Sequence, residues 1–252
     1  MRLGQIGHGS DVGRVRSLNE DYHRVLQFSC ADGLTLLAVA DGMGGAAAGE
    51  VASKLAMEVI GESFSRYAQA LQQGQPVVGI DKLTEKALRL ANRRVFEAAV
   101  SNMGRRGMGT TLTLVAVNNQ RAYLGHVGDS RAYLIRGEKI YQLTKDHSWV
   151  EEQLEQGLLS EEQAQNHAWR NLITRALGTR AQVVPDIAQI EVQQGDVFVI
   201  STDGLHGLIQ PAEILEEIRR RSSRQASVEY LIDLANERGG PDNITLVIAE
   251  VG

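Results

Sequence analysis

Residues 34–45, LTLLAVADGMGG, join an apolar run to an aspartate and a group of glycines. Another apolar and β-branched run precedes it at residues 22–29, and Asp32-Gly33 between the two runs is typical of a hairpin turn. The sequence therefore predicts two antiparallel strands, residues 22–29 and 34–40. The second of these strands leads directly into Asp41.

The residues after Asp41 change to a helical period. The stretch EVASKLAMEVIGESF carries apolar side chains at the spacing of one helix face, at Val51, Leu55, Val59 and Ile60. Residues 81–103 repeat this pattern after a linker around residues 74–79. Two consecutive helices are therefore expected to cover one face of the sheet.

From Gly109 onward the pattern returns to short strands. The runs TLTLVAV, RAYLGHV, RAYLIR and KIYQL are separated by turn-like residues and predict an antiparallel meander. Residues 148–180 are polar and irregular, residues 188–202 are again strand-like, and helices are expected at about 211–220 and 225–238 before a last strand, NITLVIAEV. Consecutive helices bracketed by antiparallel strands favour an α+β layered sandwich over alternating βαβ units.

Acidic residues stand at the ends of these strands. Single Asp-Gly, GDS or PDN segments are common in turns, so each residue alone has an ordinary explanation. Together they indicate a metal site, because a carboxylate beside an apolar strand is costly unless it is paired or binds a metal. The group contains no cysteine, so its metal ligands would all be oxygen atoms, and oxygen ligands favour hard divalent cations. The acidic residues are Glu20, Asp21, Asp41, Asp129, Asp203 and Asp242.

The same residues carry a resemblance to a known family. RSLNEDY, VADGMGG, GMGTT, HVGDSRAYL, STDGL and GGPDNITLV occur in the order and approximate spacing of the PPM family, the metal-dependent serine/threonine protein phosphatases also called PP2C. The chain resembles the short bacterial members from about residue 4 to residue 250. The resemblance implies one domain over residues 1–252, a four-layer αββα sandwich of two antiparallel sheets flanked by helices. It also implies a flap at about 148–180 that helps to select substrates.

The resemblance further implies roles for individual residues. Two or three Mn²⁺ or Mg²⁺ ions are expected, and a water that bridges two of them would act as the nucleophile. Asp21 would orient this water or take its proton, and Arg16 would hold two phosphate oxygens through its planar fork. The first ion is implied to bind Asp41, Asp203 and Asp242. The second ion is implied to bind Asp41 and the Gly42 carbonyl, largely through waters that Glu20 and Asp21 support. The third ion is implied to bind Asp129 and Asp203.

One position departs from the eukaryotic pattern. Met43 stands where eukaryotic relatives have a histidine proposed to protonate the leaving oxygen, and methionine has no proton to donate. Three histidines near the motifs, His126, His147 and His206, lack metal-ligand spacing and are expected to be structural. Two flap residues, Trp149 and Trp169, either contact substrates or anchor the flap.

Two other functions compete with this interpretation. Gly42, Gly44 and Ala47 follow a strand and precede a helix, as in a dinucleotide-binding fingerprint. However, Asp41 would place a negative charge beside the pyrophosphate, and five motifs would stay unexplained. The other alternative is a catalytically weak regulator that binds phosphoproteins, but the loss of a metal-binding aspartate expected of such a protein is not seen.

The composition excludes some classes of binding partner. A formal net charge of −5 gives no basic face for nucleic acid, and the longest apolar run is far shorter than the ~20 residues that cross a bilayer. The single cysteine, Cys30, excludes an intrachain disulfide and fits a reducing compartment. We therefore expect a cytoplasmic monomer that binds neither nucleic acid nor membrane. The family resemblance implies as partners proteins phosphorylated on serine or threonine and a bacterial kinase that the enzyme opposes.

Overall fold

The fold was analysed in a computed structural model that describes residues 3–29, 33–45 and 48–252. Cys30, Ala47 and Asp32, the first residue of the predicted Asp32-Gly33 turn, lie outside these described residues. In chain order the strands are β1 (Leu3–Asp11), β2 (Asp21–Gln27), β3 (Thr35–Met43), β4 (Gly109–Thr110), β5 (Leu112–Asn118), β6 (Arg121–Val127), β7 (Arg131–Arg136), β8 (Lys139–Gln142), β9 (Asp186–Glu191), β10 (Val197–Ser201) and β11 (Ile244–Val251). The helices are α1 (Ala48–Gln72), α2 (Ile80–Ser101), α3 (Trp149–Glu155), α4 (Glu161–Gln165), α5 (Asp203–His206), α6 (Pro211–Arg220) and α7 (Arg224–Glu237).

The strands form two antiparallel sheets. The first sheet has the order β1-β11-β10-β7-β8, and the second sheet has the order β2-β3-β5-β6-β9, with β4 paired to the end of β3. Helices α1 and α2 pack on the outer face of the second sheet, while α6 and α7 pack on the outer face of the first sheet. The predicted four-layer αββα sandwich is therefore confirmed.

Strand β3 shows why its sequence is apolar without interruption. Successive side chains of a strand point to opposite faces. Leu36 and Ala38 belong to the core under helices α1 and α2, whereas Leu37 and Val39 belong to the core between the sheets. Both faces of β3 are therefore buried, as the run in residues 34–40 requires.

The helices begin and end close to their predicted limits. Helix α2 begins one residue before the predicted 81–103, and α7 begins one residue before the predicted 225–238. Between them, residues 148–180 contain only the short helices α3 and α4, in agreement with the irregular pattern of that segment. Within the described ranges, no helix has both the length and the apolar character needed to span a membrane.

The predicted meander is wrong at one connection. Strands β6 and β7 lie in different sheets, because β6 pairs with β5 and β9 while β7 pairs with β10 and β8. Gly128, which connects them, has φ +117°, and a Cβ there would lie 2.5 Å from Thr111 Cβ. A backbone conformation that favours glycine therefore carries the chain from one sheet to the other.

Strand β1 was not predicted from the sequence. Its residues LGQIGHGSD contain three glycines, which are depleted in strands, and this obscures the alternation of apolar side chains. One of these glycines has a packing reason, since a Cβ on Gly7 would lie 2.4 Å from the Arg224 backbone carbonyl carbon. Helix α7 therefore approaches the backbone of β1 directly.

Candidate metal centre

The sheet topology brings the predicted aspartates to one edge of the sandwich. In the second sheet, antiparallel pairing places Asp21 opposite Asp41. In the first sheet, β10 lies between β7 and β11, and Ser201 pairs with the first residue of β7 and with Leu246 near the start of β11. The segments with Asp129, Asp203 and Asp242 therefore meet at the same edge.

These carboxylates influence one another's pKa values. Burial, followed by the negative charges of Asp21, Asp203, Asp129 and Asp242, raises the pKa of Asp41 well above its ordinary value. Burial, together with the charges of Asp203 and Asp242, raises the pKa of Asp21 to about 7. These aspartates therefore form one carboxylate cluster of mutually repelling charges.

The pKa values of Asp129 and Asp203 are raised as well. Burial, followed by the charge of Asp203 and then that of Asp146, raises the pKa of Asp129 to about 8. Burial and the charge of Asp242 raise the pKa of Asp203, although a hydrogen bond with Asp41 opposes the increase. Without a counter-charge, the cluster favours carboxylic acids over carboxylates.

Two of these carboxylates have an unused buried oxygen. Within the residues that the structure describes, Asp129 Oδ1 and Asp203 Oδ1 are buried and have no hydrogen-bond partner. Such atoms are costly unless they are paired or bind a cation. All candidate donors are oxygens, which suits Mg²⁺ or Mn²⁺. The residues present therefore fit a divalent metal ion.

The ligand shell is not closed by side chains alone. Over the described part of the chain, no three histidine, cysteine or acidic side chains are already arranged to hold an ion. Mg²⁺ usually keeps several waters and binds through only one or two carboxylates. A partly open carboxylate cluster is compatible with that mode of binding.

Threonines hold the aspartates in place. Thr202 Oγ1 donates a 2.8 Å hydrogen bond to Asp21 Oδ2, and Thr110 Oγ1 donates one of the same length to the Asp41 carbonyl. The Asp41 backbone N–H donates to Thr111 Oγ1 at 2.9 Å. These threonines belong to the STDGL and GMGTT motifs, but their hydrogen bonds to the aspartates are formed only in the folded protein.

Glu20 and Gly42 lie beside the carboxylate cluster. The Gly42 N–H donates to the Glu20 carbonyl at 3.1 Å, and Glu20 Oε1 accepts a 3.1 Å hydrogen bond from the N–H of Gly49 in the first turn of α1. A carboxylate is favourable at this end of a helix. A Cβ on Gly42 would lie 2.2 Å from the Gly49 carbonyl oxygen, so only glycine fits this close approach.

Arg16 reaches the cluster from an exposed loop. Its Nη2 donates a 2.8 Å hydrogen bond to Asp242 Oδ2, and this ion pair raises the pKa of Arg16. About half of the Arg16 side chain is exposed. The guanidinium therefore lies at the solvent side of the aspartates, where an incoming anion would meet it.

The histidines lie in structural positions. His126 contacts Thr113 Oγ1 at 2.8 Å and the Lys145 carbonyl at 3.0 Å, and burial lowers its pKa to about 3. His206 contacts Ser201 Oγ at 3.2 Å, and burial lowers its pKa well below the ordinary value. Both rings fill hydrogen-bonding positions within the fold.

His147 connects the 148–180 segment to the cluster. Its Nδ1 accepts a 3.0 Å hydrogen bond from the N–H of Gly128, the residue before Asp129. On its other side, Nε2 contacts Arg175 Nη1 at 2.9 Å and Asp186 Oδ2 at 3.2 Å. Because its members are distant in sequence, no local pattern predicts this connection.

The two tryptophans of that segment contact each other. Their ring centroids are 4.9 Å apart in an edge-to-face arrangement. Trp149 is partly buried and also packs on His167, whereas Trp169 is 54% exposed. Trp149 therefore packs within the segment, and Trp169 leaves apolar surface available for contacts.

Comparisons with known proteins place this architecture in a family. A family model described as Protein phosphatase 2C matches residues 9–242. The chain belongs to the protein phosphatase 2C family. The resemblance seen in the six motifs is thereby confirmed, and with it the predicted enzyme class, a protein serine/threonine phosphatase.

Individual members of the protein phosphatase 2C family match almost the whole chain. Protein phosphatase PhpP of Streptococcus pneumoniae is 35% identical over 242 residues, which cover 96% of this chain and 95% of that protein. The crystal structure of the serine/threonine phosphatase PstP/Ppp of Mycobacterium tuberculosis matches with a TM-score of 0.87, 34% identity and 99% coverage of each chain. A structure of the PstP catalytic domain in complex with 2 manganese ions matches with a TM-score of 0.83, 34% identity and 99% coverage of each chain.

Proposed function

We propose that this phosphatase hydrolyses phosphoserine and phosphothreonine in proteins with two or three Mn²⁺ or Mg²⁺ ions held by the carboxylate cluster. The observation that carries the proposal is the pair of unpartnered buried oxygens, Asp129 Oδ1 and Asp203 Oδ1, within a cluster of aspartates next to an exposed arginine. The cluster needs cations, and the arginine attracts an anion such as a phosphate ester.

The residues would divide between the ions as the family resemblance implies. The described geometry supports this assignment, because Asp21 pairs with Asp41 and because Glu20 accepts from the N–H of Gly49. Bound ions would supply a water of lowered pKa that attacks phosphorus near neutral pH. The proposed assignments are Asp41, Asp203 and Asp242 for the first ion; Asp41 and the Gly42 carbonyl, with Glu20 and Asp21 through waters, for the second; and Asp129 with Asp203 for a third.

Arg16 and Asp21 have separate tasks in the proposed reaction. Arg16 would exchange its hydrogen bond with Asp242 for two hydrogen bonds to phosphate oxygens, since its planar fork matches that geometry. Asp21 would orient the attacking water and accept its proton, and the hydrogen bond from Thr202 fixes one oxygen of its carboxylate for this task. Met43 has no proton to donate, so water would protonate the leaving oxygen.

The remaining partners are proposed on more general grounds. A phosphatase for serine and threonine requires a kinase that phosphorylates the same proteins, so we place this enzyme opposite a bacterial serine/threonine kinase. The single cysteine supports a reducing, cytoplasmic setting, and the net charge of −5 disfavours binding to nucleic acid. We propose that the enzyme acts as a monomer.

The test is metal-dependent hydrolysis by wild type and two aspartate variants. Para-nitrophenyl phosphate and a phosphothreonine peptide are assayed with Mn²⁺, Mg²⁺ or EDTA. We expect activity only with metal, its loss in Asp203→Asn, and its retention in the matched control Asp233→Asn, which changes an exposed aspartate on α7.

The opposite result would identify the alternative function. If wild type hydrolyses neither substrate with either metal but still binds the phosphothreonine peptide, the protein is a catalytically weak phosphoprotein-binding regulator. If Asp203→Asn retains full activity, the assignment of Asp203 to the metal centre is wrong.

A further inference from the structure

A basic cleft lies at the end of the first sheet opposite the carboxylate cluster. It is a cavity of about 440 Å³ between the end of α6, the start of α7 and the sheet. This region contains the motif IRRRSSR, which the phosphatase function described above does not use. The basic cleft is lined by Arg219, Arg220, Arg221 and Arg224, and by Ile135, Val197 and Glu250.

The basic cleft is separate from the metal centre. Strand β10 runs from Val197, which lines the cleft, to Ser201, two residues before Asp203. At about 3.4 Å per residue, these two ends are roughly 14 Å apart. Strands β7 and β11 are arranged in the same way, since Ile135 and Glu250 lie at their far ends from Asp129 and Asp242. A ligand in the cleft would therefore not touch the reacting phosphate.

Two of the arginines are available to a ligand. Arg220 is exposed and forms no hydrogen bond or ion pair with any residue that the structure describes. Arg219 pairs with Glu138 at 2.8 Å, but both side chains are more than half exposed. Because an exposed pair contributes little to stability, an anion of higher charge can displace Glu138.

The other two arginines form a fixed wall. Arg221 pairs with Glu217 at 2.6 Å and lies 4.7 Å from the ring centre of Tyr230. Arg224 is 8% exposed, contacts Glu250 Oε2 at 3.0 Å and donates to the Ile218 carbonyl at 2.8 Å. Their guanidinium groups are therefore held before a ligand arrives.

Helix electrostatics do not account for this arrangement. Basic residues in the last turn of α6 are favourable, but Arg224 is the first residue of α7, where a positive charge is unfavourable. The carboxylates of Glu138, Glu217 and Glu250 offset three of the four positive charges. One positive charge stays uncompensated in a chain whose net charge is −5.

We propose that the basic cleft binds a second phosphorylated residue of the protein substrate, at a distance from the phosphate being hydrolysed. The proposal rests on the phosphatase function proposed above. A phosphate monoester has the charge and the oxygen geometry that guanidinium groups recognise through paired hydrogen bonds. The cleft is open to solvent, so a side chain on a polypeptide segment can enter it. Proteins with two phosphorylated residues would therefore bind more tightly than those with one.

The test compares peptides that carry one or two phosphothreonines. The two residues are separated by about 15 flexible residues, whose extended reach of roughly 50 Å is enough to pass around the sheet. KM is measured for wild type, for Arg219→Ser combined with Arg220→Ser, and for the control Arg93→Ser combined with Arg94→Ser. The control removes two adjacent exposed arginines from α2.

We expect KM for the doubly phosphorylated peptide to be about tenfold lower than for the singly phosphorylated peptide in wild type and in the control. In the cleft variant the two KM values should differ by no more than about twofold, which is the statistical factor for a peptide with two hydrolysable phosphates. All three proteins should hydrolyse para-nitrophenyl phosphate equally well, because this small ester reaches only the metal centre.

Three outcomes would overturn the proposal. A KM advantage of only about twofold in wild type, or a larger advantage that survives in the cleft variant, would show that the cleft does not bind the second phosphate. The same advantage for a peptide with two glutamates in place of its second phosphothreonine would show that charge alone is recognised. If wild type hydrolyses nothing, the proposed function is wrong, and fluorescence anisotropy of the labelled peptides with the same three proteins still tests the cleft.

Discussion

The two ends of strands β7, β10 and β11 carry opposite chemistry on the same apolar framework. At one end, aspartates repel one another, and their pKa values are raised. At the other end, four arginines line the basic cleft, and three of them already have a carboxylate partner. The acidic end is therefore unstable without a cation, whereas the basic end is largely neutralised within the protein.

The largest expected effect comes from removing a charge at the acidic end. Asp41→Asn should lower kcat/KM with Mn²⁺ by at least about 10²-fold, because it removes a proposed ligand of two ions. The same variant should raise the Tm of the metal-free protein by a few degrees, since the amide removes the cost of burying an ionisable carboxyl group among other acidic groups. Steady-state kinetics and thermal melts in EDTA measure both effects. A variant that loses activity together with metal-free stability would show that Asp41 has a structural role.

The next effect comes from changing the shape of the positively charged group at position 16. Arg16→Lys keeps the positive charge but loses the planar fork, so kcat/KM for a phosphopeptide should fall by about 10-fold to 100-fold. The control is Arg66→Lys, which changes an exposed arginine on α1. Unchanged kinetics in Arg16→Lys would mean that Arg16 acts only as a point charge.

The raised pKa values at the acidic end predict how the stability of the metal-free protein depends on pH. Asp21 and Asp129 have pKa values of about 7 and about 8 in the folded state, against an ordinary value of 3.8. Between about pH 4 and pH 8 the folded state therefore binds more protons than the unfolded state, and the free energy of unfolding falls as pH rises. Urea denaturation in EDTA at several pH values measures this slope, which Asp129→Asn should reduce. A free energy of unfolding that rises over this range would contradict the proposed electrostatics.

The basic end is expected to affect stability and not catalysis, and stability separates its two kinds of arginine. Arg224→Ala should destabilise the fold by about 3 kcal/mol, because it leaves Glu250 and the Ile218 carbonyl without a partner. Arg220→Ala should change stability by less than about 0.5 kcal/mol, because this side chain is exposed. Urea denaturation of the two variants measures the difference. Equal effects would show that Arg224 is not a fixed part of the wall.

Most of the layer structure could be predicted from local patterns. The continuous apolar run of β3 and the helical spacing in α2 each contain enough information within one segment. Strand β1 could not be predicted, because its glycines serve a contact with α7 that is formed only in the folded protein. The crossing between β6 and β7 depends on the backbone conformation of Gly128, and a turn-like GDS segment does not show it.

The site was predictable to a similar degree. The aspartates are visible in sequence because each lies at or near the end of a strand, and Asp41, Asp129 and Asp203 stand beside glycine. The hydrogen bonds that hold them are not visible, since Thr202 supports Asp21 from the other sheet. The ion pair between Arg16 and Asp242 likewise joins residues that are far apart in the chain. Tertiary pairing decides these contacts, and no local pattern encodes it.

The pairing of β1 with β11 has a consequence for synthesis of the protein. Asp11 pairs with Ile244, and the last proposed metal ligand, Asp242, immediately precedes that strand. A nascent chain can form the second sheet with α1 and α2 while β1 still lacks its partner. The first sheet closes only when the final strand has left the ribosome. A nascent chain that still lacks β11 therefore has an open first sheet and, under the proposed assignment of Asp242, an incomplete metal centre.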